Sequence, residues 1–133
     1  MPIVQTESWC LEIPEEWNAS NEEGCVTIAD NDELGEINLS VSFKEQGEVD
    51  EQDFSLFAED LLERGLKPEP CTAGNTLGWC FTYEEGGESW REWYLACGQA
   101  FVFVTYACDL ENAGLDDAMV DDILSTLSVM VPE

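Results

Sequence analysis

The segment from Ser89 to Cys108 constrains the fold more than any other part of the chain. Ser89–Cys97 and Ala100–Cys108 each read as a strand, and Gly98-Gln99 between them fits a two-residue hairpin turn with glycine in its first central position. That turn fixes the register: Cys97 faces Ala100, Leu95 faces Val102 and Trp93 faces Val104. These residues give one apolar face. The other face carries Trp90, Tyr94, Ala96, Phe101 and Phe103, and it is apolar too. A sheet apolar on both sides must be covered on both sides, by helices, by loops and chain ends, or by a partner on part of one face.

The remainder of the chain supplies material for those layers. Trp9, Leu11 and Ile13 alternate with polar neighbours over Ser8–Ile13, a short half-buried strand that Pro14 ends, with Trp17 expected in a polar loop. Cys25–Ala29 reads as a second strand and Asp30–Gly35 as a turn. Ile37, Leu39, Val41 and Phe43 alternate with Asn38, Ser40, Ser42 and Lys44, the cleanest one-sided strand in the sequence. A helix is expected next. Asp50 suits its N-cap, Val49 and Phe54 are spaced as a hydrophobic staple, and Phe54, Phe57, Ala58, Leu61 and Leu62 form its apolar stripe. Gly65 suits the position after it, with Leu66 placed to meet Leu61, and Pro68 and Pro70 prevent continuation. Leu77–Tyr83 is a strand with Trp79, Phe81 and Tyr83 on one face, and Glu85-Gly86-Gly87-Glu88 turns it into the Ser89 strand. A final helix spans about Asp116–Ser128, with Val120, Ile123, Leu124 and Leu127 at helical spacing. The predicted order is β-β-β-α-β-β-β-α, with room for a further short strand near Cys71. This is an α+β fold with an antiparallel sheet and helices packed on it, in a single domain over residues 1–133.

Charge decides which functions are excluded. Four basic residues (Lys44, Arg64, Lys67, Arg91) stand against thirty acidic ones, a formal net charge of −26 over 133 residues. Phosphate contacts need Lys and Arg, so a nucleic-acid ligand is excluded, and docking on an anionic membrane is disfavoured. The chain has no His, which removes Ser-His and Cys-His catalysis and His-ligated metals. Apolar content of 44% with five Trp is too rich for a disordered acidic tail. The opening residues Met1–Ser8 lack the basic and apolar regions of a secretory signal, and no apolar run approaches a membrane span of about 18 residues. A cytoplasmic location is the expectation.

Six Cys occur, with at least eight residues between any two and no C-x-x-C pair. Close pairs are what zinc ribbons and redox motifs require. The six are read as buried free thiols, with disulfides or a metal or catalytic role as alternatives. Asp30-x-Asp32-x-x-Gly35 begins like a calcium loop but carries Leu34 and Val41 where ligands are required. Asp116-Asp117 and Asp121-Asp122 recur at helical spacing, as a solvated face or as a ridge for a basic protein. No catalytic, cofactor-binding or metal-binding residues are expected, and no enzyme activity. The candidate site is a partner-binding cluster of Trp90, Arg91, Trp93 and Tyr94, residue types that concentrate binding energy at interfaces. Its occupant is a protein, basic or a secreted effector, or a second copy of the chain.

Several phrases taken in order resemble the PsbP-like superfamily, which includes DcrB-like bacterial proteins and the Ran-binding nuclear import factor. They are LEIPEEW (Leu11–Trp17), INLSVSF (Ile37–Phe43), the inserted helix, WREWYLACGQAFVFVTYA (Trp90–Ala107) and ILSTL (Ile123–Leu127). The resemblance spans nearly the whole chain. It implies helices packed on an antiparallel sheet, and protein binding without catalysis as the shared theme, from photosystem-associated subunits to chaperones of secreted toxins. It carries over no catalytic motif. The expected role is therefore a non-enzymatic, protein-binding domain, of chaperone or immunity type. An acidic inhibitor or nucleic-acid mimic that binds a basic protein is the alternative.

Overall fold

A computed structural model of the chain describes residues 3–22, 24–31 and 34–130. Ten strands are assigned: β1 (Ile3–Gln5), β2 (Trp9–Glu12), β3 (Trp17–Glu22), β4 (Cys25–Asp30), β5 (Gly35–Phe43), β6 (Glu69–Ala73), β7 (Thr76–Glu85), β8 (Glu88–Cys97), β9 (Ala100–Asp109) and β10 (Ser128–Val129). Among the described residues the α-helices are α1 (Glu51–Phe57), α2 (Glu59–Glu63) and α3 (Asp117–Ser125), with one turn of 3-10 helix at Leu110–Asn112. The main sheet has seven strands in the order β3-β4-β5-β9-β8-β7-β6, and β1-β2-β10 form a small second sheet. Every pairing is antiparallel.

The hairpin behaves as its sequence requires. Cys97 pairs with Ala100, Leu95 with Val102 and Trp93 with Val104, and Gly98 turns with φ +57°. One face meets α3 and the small sheet. Its core joins Trp9, Leu11 and Ile13 to Ile28, Ile37, Leu39, Leu95, Val102 and Val104, closed by Val120, Ile123 and Leu124 of α3. The other face meets α1 and α2 through a second core of Phe54, Ala58, Leu61, Phe81 and Tyr94. Helix therefore lies on both sides of one antiparallel sheet.

The helix after Asp50 forms as its punctuation dictates. The Asp50 carboxylate accepts from the Gln52 and Asp53 amides, and Asp53 accepts from the Asp50 amide at 3.0 Å. At the far end the Gly65 amide donates to Leu62 O at 3.0 Å and the Leu66 amide to Leu61 O at 3.1 Å, with Gly65 at φ +86°. This is the paired closure that only a left-handed residue permits. The helix bends at Ala58, which divides it into α1 and α2.

Four elements depart from the expectation. Trp17 is not in a loop: it begins β3 and is buried, because its ring closes the core at the sheet edge. β1 and β10 add the strands that flank β2. The last helix stops at Ser125, and the chain then runs back along β2. The expected turn at Asp30–Gly35 falls partly on residues 32–33, outside those described.

Candidate functional site

Strand alternation separates the four residues expected to share a contact surface. Arg91 and Trp93 point to the α3 side, while Trp90 and Tyr94 point to the α1–α2 side. Trp93 and Tyr94 are each only 4% exposed, so neither ring is offered to a partner. Arg91 lies on the Trp93 ring at 4.5 Å and pairs with Asp121 at 2.7 Å and Asp117 at 3.6 Å. It clamps β8 to α3 and is committed there. Two acids of the expected ridge are thus partners of Arg91, and a third, Asp116, accepts from the Tyr106 hydroxyl at 2.7 Å.

Tyr94 belongs to a buried polar network that also escaped the sequence reading. Glu92, 8% exposed, accepts from the hydroxyls of Tyr94 at 2.7 Å and of Tyr83. Burial, and then the hydrogen bond to Glu92, push both phenols well above the ordinary tyrosine range. Arg64 covers Tyr83 at 5.1 Å and reaches Glu85 at 3.5 Å, which ties α2 to the sheet.

Of the four expected residues, Trp90 and Arg91 are half-buried, and of these two only Trp90 is not tied to α3. It stacks on Tyr83 with planes 5° apart and centroids at 6.3 Å. It also borders the surface that the structure does leave free. α1 and α2 lie over β7, β8 and the first part of β9 only. Beyond them the same face of β9, β5 and β4 carries Thr105, Ala107, Asn38, Ser40, Ser42 and Thr27, half-buried or exposed, and no described helix crosses it. Two hollows open there. One, of about 540 Å³, is lined by Glu36, Asn38, Glu88, Trp90, Ala107 and Asp109 among others. The other, of about 260 Å³, is lined by Ser40, Ser42, Phe57, Tyr94, Phe101 and Phe103. Phe57 stands between helix and open floor, 53% exposed, stacked on Phe101 at 4.5 Å. Its helical spacing predicts core; its position at the bend puts it at the margin. The signal for this face was present in the polar side of β5, which sits beside Phe101 and Phe103 of β9.

All six cysteines are free thiols, one buried and five half-buried. Burial, with Cys80 close by, pushes the Cys71 thiol up to about 12, and burial raises Cys80 and Cys108 as well. Such thiols are poor nucleophiles at neutral pH. Among the described residues, no group of three or more His, Cys, Asp or Glu is arranged to hold a metal ion. No described helix is long and apolar enough to cross a membrane.

No family model matches the chain, and no curated protein matches it. Solved structures do. A protein from Bacteroides thetaiotaomicron VPI-5482 superposes with a TM-score of 0.66 at 14% identity over 92% of this chain, which spans 45% of that longer protein. LpqN, involved in cell envelope biogenesis of Mycobacterium tuberculosis, gives a TM-score of 0.62 at 14% identity over 92% of this chain and 83% of its own. Cyanobacterial PsbP from Synechocystis sp. PCC 6803 gives 0.51 at 10% identity, over 96% of this chain and 91% of its own. The chain has the PsbP-like fold. The identities are low enough that the likeness speaks of architecture and leaves activity to the residues themselves.

Proposed function

We propose that this PsbP-like chain is a small acidic protein-binding domain without catalytic activity, which docks its partner on the half of the sheet that α1 and α2 leave uncovered. The observation that carries this reading is Phe57, a ring more than half exposed and stacked on Phe101 at the border of an open floor. A large aromatic in that position gains burial when a partner arrives, and aromatic side chains anchor interfaces. The raised thiols and the lack of His support a role without nucleophilic chemistry. A client or target of chaperone or immunity type fits such a surface. An acidic inhibitor of a basic protein uses the same face with more weight on charge. In this reading the partner is cytoplasmic; LpqN, of the same fold, is tied to the cell envelope, and fractionation of a tagged chain separates the two compartments.

Photo-crosslinking tests the surface. A crosslinking side chain at Ser40, on the open floor, is expected to give a discrete protein adduct in cells, and one at Glu12 in the small sheet is not. The adduct partner, once purified, should lose binding to Ser40→Arg while the variant keeps its circular dichroism spectrum. An adduct of twice the chain mass identifies a second copy as the occupant. Equal adducts at Ser40 and Glu12 would rule out this face.

A further inference from the structure

The open floor differs from end to end. Register places Ser42 beside Phe101 at one end and Glu36 beside Ala107 at the other, a span of about 20 Å at ~3.3 Å per residue. The Phe101 end is apolar, built from the Phe57–Phe101 stack with Phe103 next to it. The Ala107 end sinks into the larger hollow, walled by the Trp90 indole and rimmed by the carboxylates of Glu36, Glu88 and Asp109. No Lys or Arg is among the residues lining that hollow. Three of the chain's cations are engaged elsewhere: Lys44 with Asp53, Arg64 on Tyr83, and Arg91 with α3. Carboxylates around an aromatic face, with no internal cation to neutralise them, complement a guanidinium or ammonium group. The same potential repels phosphate, so neither nucleic acid nor an anionic lipid surface fits.

We infer that the floor takes a basic amphipathic segment of a protein partner. A Lys or Arg side chain of that segment enters the Trp90 hollow, and an apolar side chain about 20 Å away rests on the Phe57–Phe101–Phe103 platform. This rests on the docking reading and specifies its ligand. Charge alone would place a cation anywhere on so acidic a chain; the aromatic platform at a fixed distance gives the segment its position.

Three synthetic peptides test the inference on the full chain, titrated by fluorescence anisotropy at physiological salt. The first carries a Leu-Phe pair and, about six extended residues away, two Arg, and is made in both chain directions. In the second the Arg residues become Gln, and in the third the Leu-Phe pair becomes Ser-Ser. The first is expected to bind about tenfold more tightly than either other peptide, the margin one good cation site provides. The margin over the second peptide should vanish in Glu36→Gln/Glu88→Gln/Asp109→Asn and in Trp90→Leu, all checked for folding by circular dichroism, while the margin over the third persists. Removing as many exposed acids across the main sheet, in Glu7→Gln/Glu12→Gln/Asp122→Asn, should change affinity by less than about twofold, since distant exposed charges are screened. If the first and second peptides bind equally and tightly, the cation inference fails and docking on the aromatic platform survives. If the first and third bind equally, and the remote variant weakens them as much as the hollow variant, the attraction is diffuse and the inference is overturned. If no peptide binds, the inference and the docking reading fall together.

Discussion

Glu92 shows how burial assigns a task to one carboxylate among thirty. Its neighbours in sequence, Arg91 and Trp93, face α3, while alternation turns Glu92 toward the helix that covers Phe81 and Tyr94. A buried carboxylate is costly unless donors surround it, and Tyr83 and Tyr94 are those donors. A consequence follows for high pH. All three tyrosines, Tyr83, Tyr94 and Tyr106, hold their protons above the usual range, first because they are buried and then because each donates to a carboxylate. The native state therefore keeps protons that the unfolded chain releases near the ordinary tyrosine value of about 10. Stability is full below that pH and declines as pH rises through and beyond it. Absorbance at 295 nm should show no independent phenolate titration near pH 10. It should rise in a single step that coincides with loss of the near-ultraviolet dichroism signal. A tyrosine that ionises while the fold stays intact would contradict this.

Among the elements, the turn joining β6 to β7 ties β10 to the main sheet. The Asn75 side-chain amide donates to Val129 O at 2.9 Å, and its carbonyl accepts from the Val129 amide at 2.9 Å, so one side chain stands in for a strand partner. Gly74 beside it has φ +61°, and a Cβ there would lie 1.6 Å from Leu127 O. Asn75→Ala removes both bonds and leaves the backbone groups of Val129 part-buried without those partners. The expected loss is about 2 kcal/mol, seen as a lower urea midpoint at unchanged slope. An unaltered midpoint would mean that β10 is held by β2 alone. This tether was invisible in the sequence because it joins residues 54 positions apart, and a two-residue strand has no period to detect. β3 was missed for a related reason: of Trp17–Glu22 only Trp17 is a large apolar side chain turned to the core. The helix after Asp50 and the β8–β9 hairpin were legible because their signals are local, a capping box, a closing glycine, and a turn that sets register. The candidate site was only half legible. Trp90 was in view, but alternation turned Arg91 and Trp93 toward α3, where Arg91 is held by Asp117 and Asp121, and buried Tyr94 under α1 and α2. The open floor depends on where α1 and α2 stop, which no local pattern records.

At the scale of the whole molecule, the charge of −26 acts on stability and on binding with opposite signs. Ion pairs neutralise little of it, since only Lys44, Arg64 and Arg91 engage carboxylates among the described residues. Folding brings the acids closer than in the unfolded chain, so their mutual repulsion opposes the compact state. Added salt shortens the screening length from about 30 Å at 0.01 M to about 3 Å at 1 M and weakens that repulsion. The melting temperature is therefore expected to rise steadily over this range in sodium chloride, followed by circular dichroism. A flat or falling curve would mean that the spread of acids around the fold already keeps their repulsion small. A basic segment bound at Trp90 responds the other way, because the same ions screen its attraction to Glu36, Glu88 and Asp109. Salt should thus stabilise the fold and loosen the complex. Only the aromatic contact at Phe57 and Phe101 should hold in both regimes, since burial of apolar surface does not depend on screening.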